Sequence, residues 1–167
     1  MELHEFPAFE NLDEAQVADF CAACKRTQRV AGEELITRGE KGGTFFFLLE
    51  GEVEVYLPEA RGRQVLCTIS APAVLGEIEF LTGKPRTASV CALSDVTLLG
   101  ISFEALRGRV ANGDPGTLQL FVVLSEILAR RLTRTTEMLA ELEASVPGHQ
   151  RRELQDFRSK LLSDWSF

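Results

Sequence analysis

The sequence predicts an α+β chain that is mainly β: a small closed β-roll flanked by an N-terminal helix and by C-terminal helices. Three observations predict it. Between 28 and 101, short apolar stretches alternate with glycines every few residues, the texture of a roll or sandwich. Before that stretch and after 102, apolar residues recur at steps of three and four, which is the helical period. The chain has 167 residues, 45% hydrophobic and 26% charged, enough for one domain with a real core plus an appendage.

The elements follow in order. Residues 12–25 read as a helix, with Leu12, Val17, Phe20, Cys21 and Cys24 on one broad face and Asp13 or Asn11 as its cap. Six strands are expected, over 34–38, 44–49, 52–57, 64–70, 86–92 and 96–101. In 52–56 the alternation is clean, with Val53 and Val55 on one face and Glu52 and Glu54 on the other. Ser102 suits the cap of a short helix to about Val110. Asn112, Gly113 and Asp114 break it, and Pro115 suits the first position of a long helix to Ser145. Leu118, Phe121, Ser125, Leu128, Leu132, Thr135, Leu139 and Leu142 form its seam. Such a seam packs on its own domain first and on a second copy later, so a homodimer is expected. Beyond Val146-Pro147-Gly148 a last amphipathic helix is expected, with Leu154, Phe157, Leu161 and Trp165 on one stripe. Three segments result: 1–114, 115–145 and 146–167.

Composition narrows the function. The net charge is -7. Residues 115–167 hold equal numbers of basic and acidic side chains, so all of that charge falls on 1–114. Such a surface repels nucleic acid and anionic membrane, so neither DNA nor a membrane is an expected partner. No apolar run approaches the roughly 20 residues that span a bilayer, and the acidic start lacks a signal segment, so a cytoplasmic protein is expected. His4 and His149 lie near opposite ends, outside the strands. A metal enzyme built on the roll therefore lacks ligands, and no nucleophile–base site assembles. Cys21-x-x-Cys24 is the only close cysteine pair, and buried, reduced thiols are expected at Cys21, Cys24, Cys67 and Cys91.

The informative stretch is 75–90, LGEIEFLTGKPRTASV. Gly76 allows close backbone approach. Residues 78–81 suit one helical turn, whose free N–H groups favour an anion. Arg86 follows nine positions after Glu77, and the hydroxyl of Thr87 comes next. A planar guanidinium with N–H donors suits a phosphate. A carboxylate in the same pocket accepts from a sugar hydroxyl. Together they imply a nucleotide, and the lack of a P-loop pattern points to one phosphate held without metal. The plain alternative is a surface ion pair between Glu77 and Arg86.

These residues carry a resemblance. Gly76-Glu77-Ile78 through Pro85-Arg86-Thr87-Ala88, with Gly32, Ile36, Gly39, 46–49 and Gly51-x-Val53-x-Val55-Tyr56 upstream, resemble the cyclic nucleotide-binding domain family, in its catabolite activator protein-like sensor form. The likeness covers most of 8–145. It implies a double-stranded β-helix, a jelly-roll-like roll, and a ligand that is cAMP rather than cGMP, with no other cofactor and no catalysis. It implies that Glu77 accepts the ribose 2′-hydroxyl. Arg86 binds the cyclic phosphate with Thr87 and the N–H groups near Ile78 and Glu79. Val55 and Cys67 line the base pocket, and Thr135 and Thr136 on the long helix reach the base. Thr87 blurs the base choice, because related domains that favour cGMP often have Thr after the arginine. Arg86→Ala is expected to abolish binding and leave the fold intact.

Three positions depart from the family pattern. Glu79 stands where a small residue is usual. Pointing inward it repels a phosphate; pointing outward it contributes only its N–H. Ser70-Ala71-Pro72-Ala73 replaces the usual Gly-Asp turn. Residues 146–167 hold one helix, too little for a helix-turn-helix. The expectation is a stand-alone sensor that signals through its C-terminal helices to an unidentified protein partner. The competing expectation is a degenerate domain that binds no nucleotide and acts as an interaction scaffold.

Overall fold

In the run Thr44–Glu50, Phe45, Phe47, Leu48 and Leu49 are buried and Phe46 is half-buried, because the strand they form is covered on both faces. Phe45 and Phe47 point one way, and Phe46 and Leu48 the other, as strand alternation requires. A strand covered twice needs an unbroken apolar run, which explains TFFFLL. The structure is a computed structural model and describes residues 3, 6–146, 152, 154–156 and 159.

The elements are α1 (Glu14–Ala22), β1 (Lys25–Arg29), β2 (Glu34–Ile36), β3 (Thr44–Glu50), β4 (Glu52–Glu59), β5 (Gly62–Ser70), β6 (Ala73–Leu75), α2 (Glu77–Thr82), β7 (Ser89–Ala92), β8 (Val96–Ser102), α3 (Phe103–Ala111) and α4 (Pro115–Ser145). Two four-stranded sheets form, in the orders β1-β8-β3-β6 and β2-β7-β4-β5. Every strand pair among them is antiparallel. This is the roll that the sequence predicts.

One apolar cluster includes Ile36, Leu48, Val53, Leu75, Val90 and Leu98, with Phe46, Val55 and Ile69 packed against it. A second is aromatic. Phe47 meets Phe6, Phe9 and Phe20 edge-on at ring distances of 5.5, 5.7 and 5.8 Å. That pins the N-terminal segment to the outer face of β3, each pair adding about 0.5–1.5 kcal/mol beyond burial.

The chain divides into two compact units, Met1–Phe121 and Val122–Phe167. The division falls inside α4. In the first unit Asp13 caps α1 with a full capping box to Gln16, and the Ser102 side chain caps α3 by accepting from Ala105 N. In the second unit α4 continues to Ser145, with Val122, Leu132, Met138 and Leu142 exposed.

Several expectations are corrected. The first helix ends at Ala22, and Lys25–Arg29 forms β1, which the sequence reading placed partly in that helix. Its polar run KRTQR carries no apolar alternation because only one of its five residues is even partly buried. β6 was also missed; it is three residues long and follows the cis Ala71–Pro72 peptide. The strand expected over 86–92 begins only at Ser89, since Arg86 is drawn into a different role. The thiols are not uniformly buried: Cys91 is, Cys21 and Cys24 are half-buried, and Cys67 is exposed on β5. Of the expected last helical stripe, Phe157, Leu161 and Trp165 lie outside the described residues, as do His4 and His149.

Candidate functional site

β6 delivers the chain to Gly76, which caps α2 in the left-handed region at φ 87°. This conformation suits glycine alone, and space demands it as well. A Cβ there would collide with Nη1 of Arg86 and lie 3.0 Å from the Thr44 carbonyl oxygen. Across the cradle, a Cβ on Gly42 would come within 2.6 Å of Arg86 Nη2. The guanidinium thus sits in a slot between two glycine backbones.

Arg86 is held by both backbone and side chain. Its N–H donates to the Glu40 carbonyl at 2.9 Å, and its carbonyl accepts from Gly39 N at 2.9 Å. Nη2 donates to the Thr44 carbonyl at 2.6 Å, and the Phe103 ring lies 5.8 Å from the guanidinium carbon. The side chain is 5% exposed.

Glu79 settles which way it points: inward. Its Oε2 lies 2.8 Å from Arg86 Nε, and its side chain is 7% exposed. Gly42 N donates to Oε2 and Gly43 N to Oε1, each at 3.3 Å. The expected alternative, a surface pair of Glu77 with Arg86, is replaced by a buried pair of Glu79 with Arg86. Glu77 is itself buried and near enough to act on the same guanidinium. Burial lowers the Arg86 pKa from its usual value, and the charges of Glu79 and Glu77 oppose that fall. An arginine stays protonated under such forces. Among the described residues Nη1 has no hydrogen-bond acceptor.

α2 is braced from behind. Phe80 packs on Phe103, Phe121 and Phe45 at ring distances of 5.1, 5.6 and 6.4 Å, and Arg107 lies over it at 5.5 Å. Gly83 closes the helix, its N–H donating to the Glu79 carbonyl at 2.8 Å. Ile78 and Leu81 face outward.

The structure therefore brings together Gly76, Glu77, Glu79 and Arg86. Thr87 is exposed. Val55 and Cys67 are direct partners across β4 and β5, so their side chains share a face with Val53 and Ile69. Along that face burial falls from Val53 to Cys67. Thr135 and Thr136 lie in the second unit, where their hydroxyls donate to the Arg131 and Leu132 carbonyls at 2.8 and 2.9 Å. Gly42, Gly43 and Thr44 were not singled out as site residues. The adjacent pair Gly42-Gly43 was their one signal, and it reads equally well as a plain turn.

The family model for the cyclic nucleotide-binding domain matches residues 27–113. The CRP-like cAMP-activated global transcriptional regulator of Mycobacterium tuberculosis is 28% identical over 148 residues, 87% of this chain and 64% of that protein. The cAMP-dependent protein kinase regulatory subunit of Mycosarcoma maydis is 32% identical over 117 residues, 65% of this chain and 22% of that protein. The chain thus spans less than two thirds of the length of these relatives, which are regulators by name and not catalysts. Among solved structures, a cyclic nucleotide-binding domain from Methylobacillus flagellatus superposes with a TM-score of 0.71 at 23% identity, over 81% of this chain and 76% of that one. The chain belongs to the cyclic nucleotide-binding domain family.

Proposed function

We propose that the chain is a non-catalytic, cytoplasmic sensor module that takes up a cyclic mononucleotide, cAMP in preference to cGMP, at the Arg86 cradle. One observation carries the reading. A buried arginine is caged by backbone at Gly42, Thr44 and Gly76, and an anion already sits on it. A singly charged phosphate matches that anion in charge. In this reading Arg86 holds the phosphate with Thr87 and the N–H groups near Ile78 and Glu79. Glu77 takes the ribose hydroxyl, and Val55 and Cys67 flank the base. The relatives named for cAMP support the choice of nucleotide. Ligand shifts the C-terminal helices only by its differential affinity for their two arrangements. The output is a changed α4 surface read by a second copy, as a homodimer, or by another protein; no DNA contact is part of it.

A second reading is favoured by the Glu79–Arg86 pair itself: a family member that binds no nucleotide and serves as an interaction scaffold. Calorimetric titration of the purified chain with cAMP and with cGMP decides between them. Saturable heat from cAMP, stronger than from cGMP, is expected. Silence from both at millimolar ligand leaves the scaffold reading.

A further inference from the structure

We infer that Glu79 is a tethered anion seated in the site's own anion position, and that its displacement sets the affinity of any external anion for the Arg86 cradle. The inference deepens the sensor reading and rests on it for the identity of the nucleotide, but not for the anion site.

The geometry argues it in three steps. First, the donors around Glu79 are only loosely satisfied. Arg86 Nε is close at 2.8 Å, but Gly42 N and Gly43 N stand at 3.3 Å, longer than the usual ~2.9–3.0 Å. Arg86 Nη1 is buried and finds no acceptor among the described residues. The carboxylate thus holds two of its three N–H donors only at long range and leaves Nη1, on the Gly76 side of the guanidinium, unpaired; a tetrahedral anion offers more oxygens to the same group. Second, the charges leave no room for a second anion. Arg86 carries one positive charge, Glu79 cancels it, and Glu77 adds a negative one nearby. An incoming phosphate must expel the Glu79 carboxylate or sit against it, and like charges at that range repel strongly in a dry site. Third, the guanidinium that receives the anion is preorganised by groups that do not depend on Glu79. Gly76 and Gly42 leave room for it, the Thr44 carbonyl orients Nη2, and Phe103 backs it.

The test uses the full chain, its Glu79→Ala and Glu79→Ser variants, and the double variant Glu79→Ala/Arg86→Ala. Acetate and inorganic phosphate are the first probes, with sodium chloride at matched ionic strength as control. Both anions should raise the melting temperature of Glu79→Ala by at least 2 °C and leave wild type and the double variant unmoved. In calorimetry, cAMP should bind Glu79→Ala at least tenfold more tightly than wild type. If Glu79→Ala does not fold, Glu79→Ser reads the same contrast, because it too vacates the seat and removes the charge. Anion-insensitive melting of a folded Glu79 variant overturns the inference, whatever cAMP does. Equal cAMP affinity in wild type and Glu79→Ala overturns it too and leaves the sensor reading standing. Stabilisation by acetate with no cAMP binding in any variant supports the tethered anion and rejects cAMP as the ligand.

Discussion

Arg86 and Glu79 cannot be altered independently. Each is buried, and each is the other's counter-charge. Removing one partner of a buried pair strands the other, at about 3–5 kcal/mol, whereas removing both leaves no uncompensated charge. The sequence alone suggests that Arg86→Ala would leave the fold intact; the buried pair predicts that it also costs stability. Arg86→Ala should lower unfolding free energy in urea by about 3–5 kcal/mol, and the double variant Glu79→Ala/Arg86→Ala should recover more than half of the loss. Additive losses in that cycle would show that the two side chains are not energetically coupled. Loss of binding in Arg86→Ala alone therefore does not assign Arg86 to ligand; the double variant is the proper reference. The direction of Glu79 was not legible in the sequence. On a turn as short as α2 it depends on where the 40–44 loop places its N–H groups, and that loop is fixed by pairing Arg86 N to the Glu40 carbonyl. A periodicity pattern carries no such long-range information.

At the scale of elements, α1, α3 and α4 meet on one arginine. Arg109 Nη2 lies 2.6 Å from Asp19 Oδ2 and 2.8 Å from Asp114 Oδ1, with its guanidinium carbon 5.1 Å from the Phe20 ring. Asp114 also accepts from the Thr117 amide at 2.8 Å and hydroxyl at 2.6 Å, both on Oδ2, which closes the start of α4. Burial pushes the Asp114 carboxyl up, but the Thr117 hydroxyl and amide and Arg109 outweigh it and leave the pKa below 3.8. A carboxyl depressed in the folded state stabilises fully above its unfolded value and loses that contribution as pH falls through the folded value. Asn caps a helix as well as Asp does, so the loss is that of the charge paired with Arg109, and Asp114→Asn should destabilise the chain by about 1–2 kcal/mol at pH 7. The gap to wild type should close on acidification below about pH 4. Denaturant melts at several pH values check this; a gap constant down to pH 2 would exclude a charge-based role. Much of this level was legible. Ser102, Asp114 and Pro115 mark the helix boundaries by capping chemistry, and the central strands announce themselves through apolar runs. β1 stayed hidden because its residues are polar, and β6 because three residues carry no pattern.

For the molecule as a whole, the charge distribution opposes the function assigned to the site. All of the excess of -7 lies on 1–114, the part that holds Arg86, and the proposed ligand is an anion. A charge of that size about 20 Å away repels a monoanion by roughly 0.7 kcal/mol at 10 mM salt and roughly 0.1 kcal/mol at 150 mM. The association rate of a fluorescent cyclic mononucleotide should therefore rise about threefold between those salt concentrations. The dissociation rate should hardly move, because within the cradle the ligand is screened from bulk ions and held by short-range donors. Stopped-flow mixing separates the two rates, and the Glu79→Ala variant supplies a second series with one negative charge fewer. If Glu79 acts only from inside the cradle, its removal leaves the salt slope almost unchanged while slowing dissociation. A rate that falls with salt would mean that Arg86 and the N–H donors project a positive field past the acidic surface, so that the site attracts its ligand from a distance and does not merely retain it on arrival.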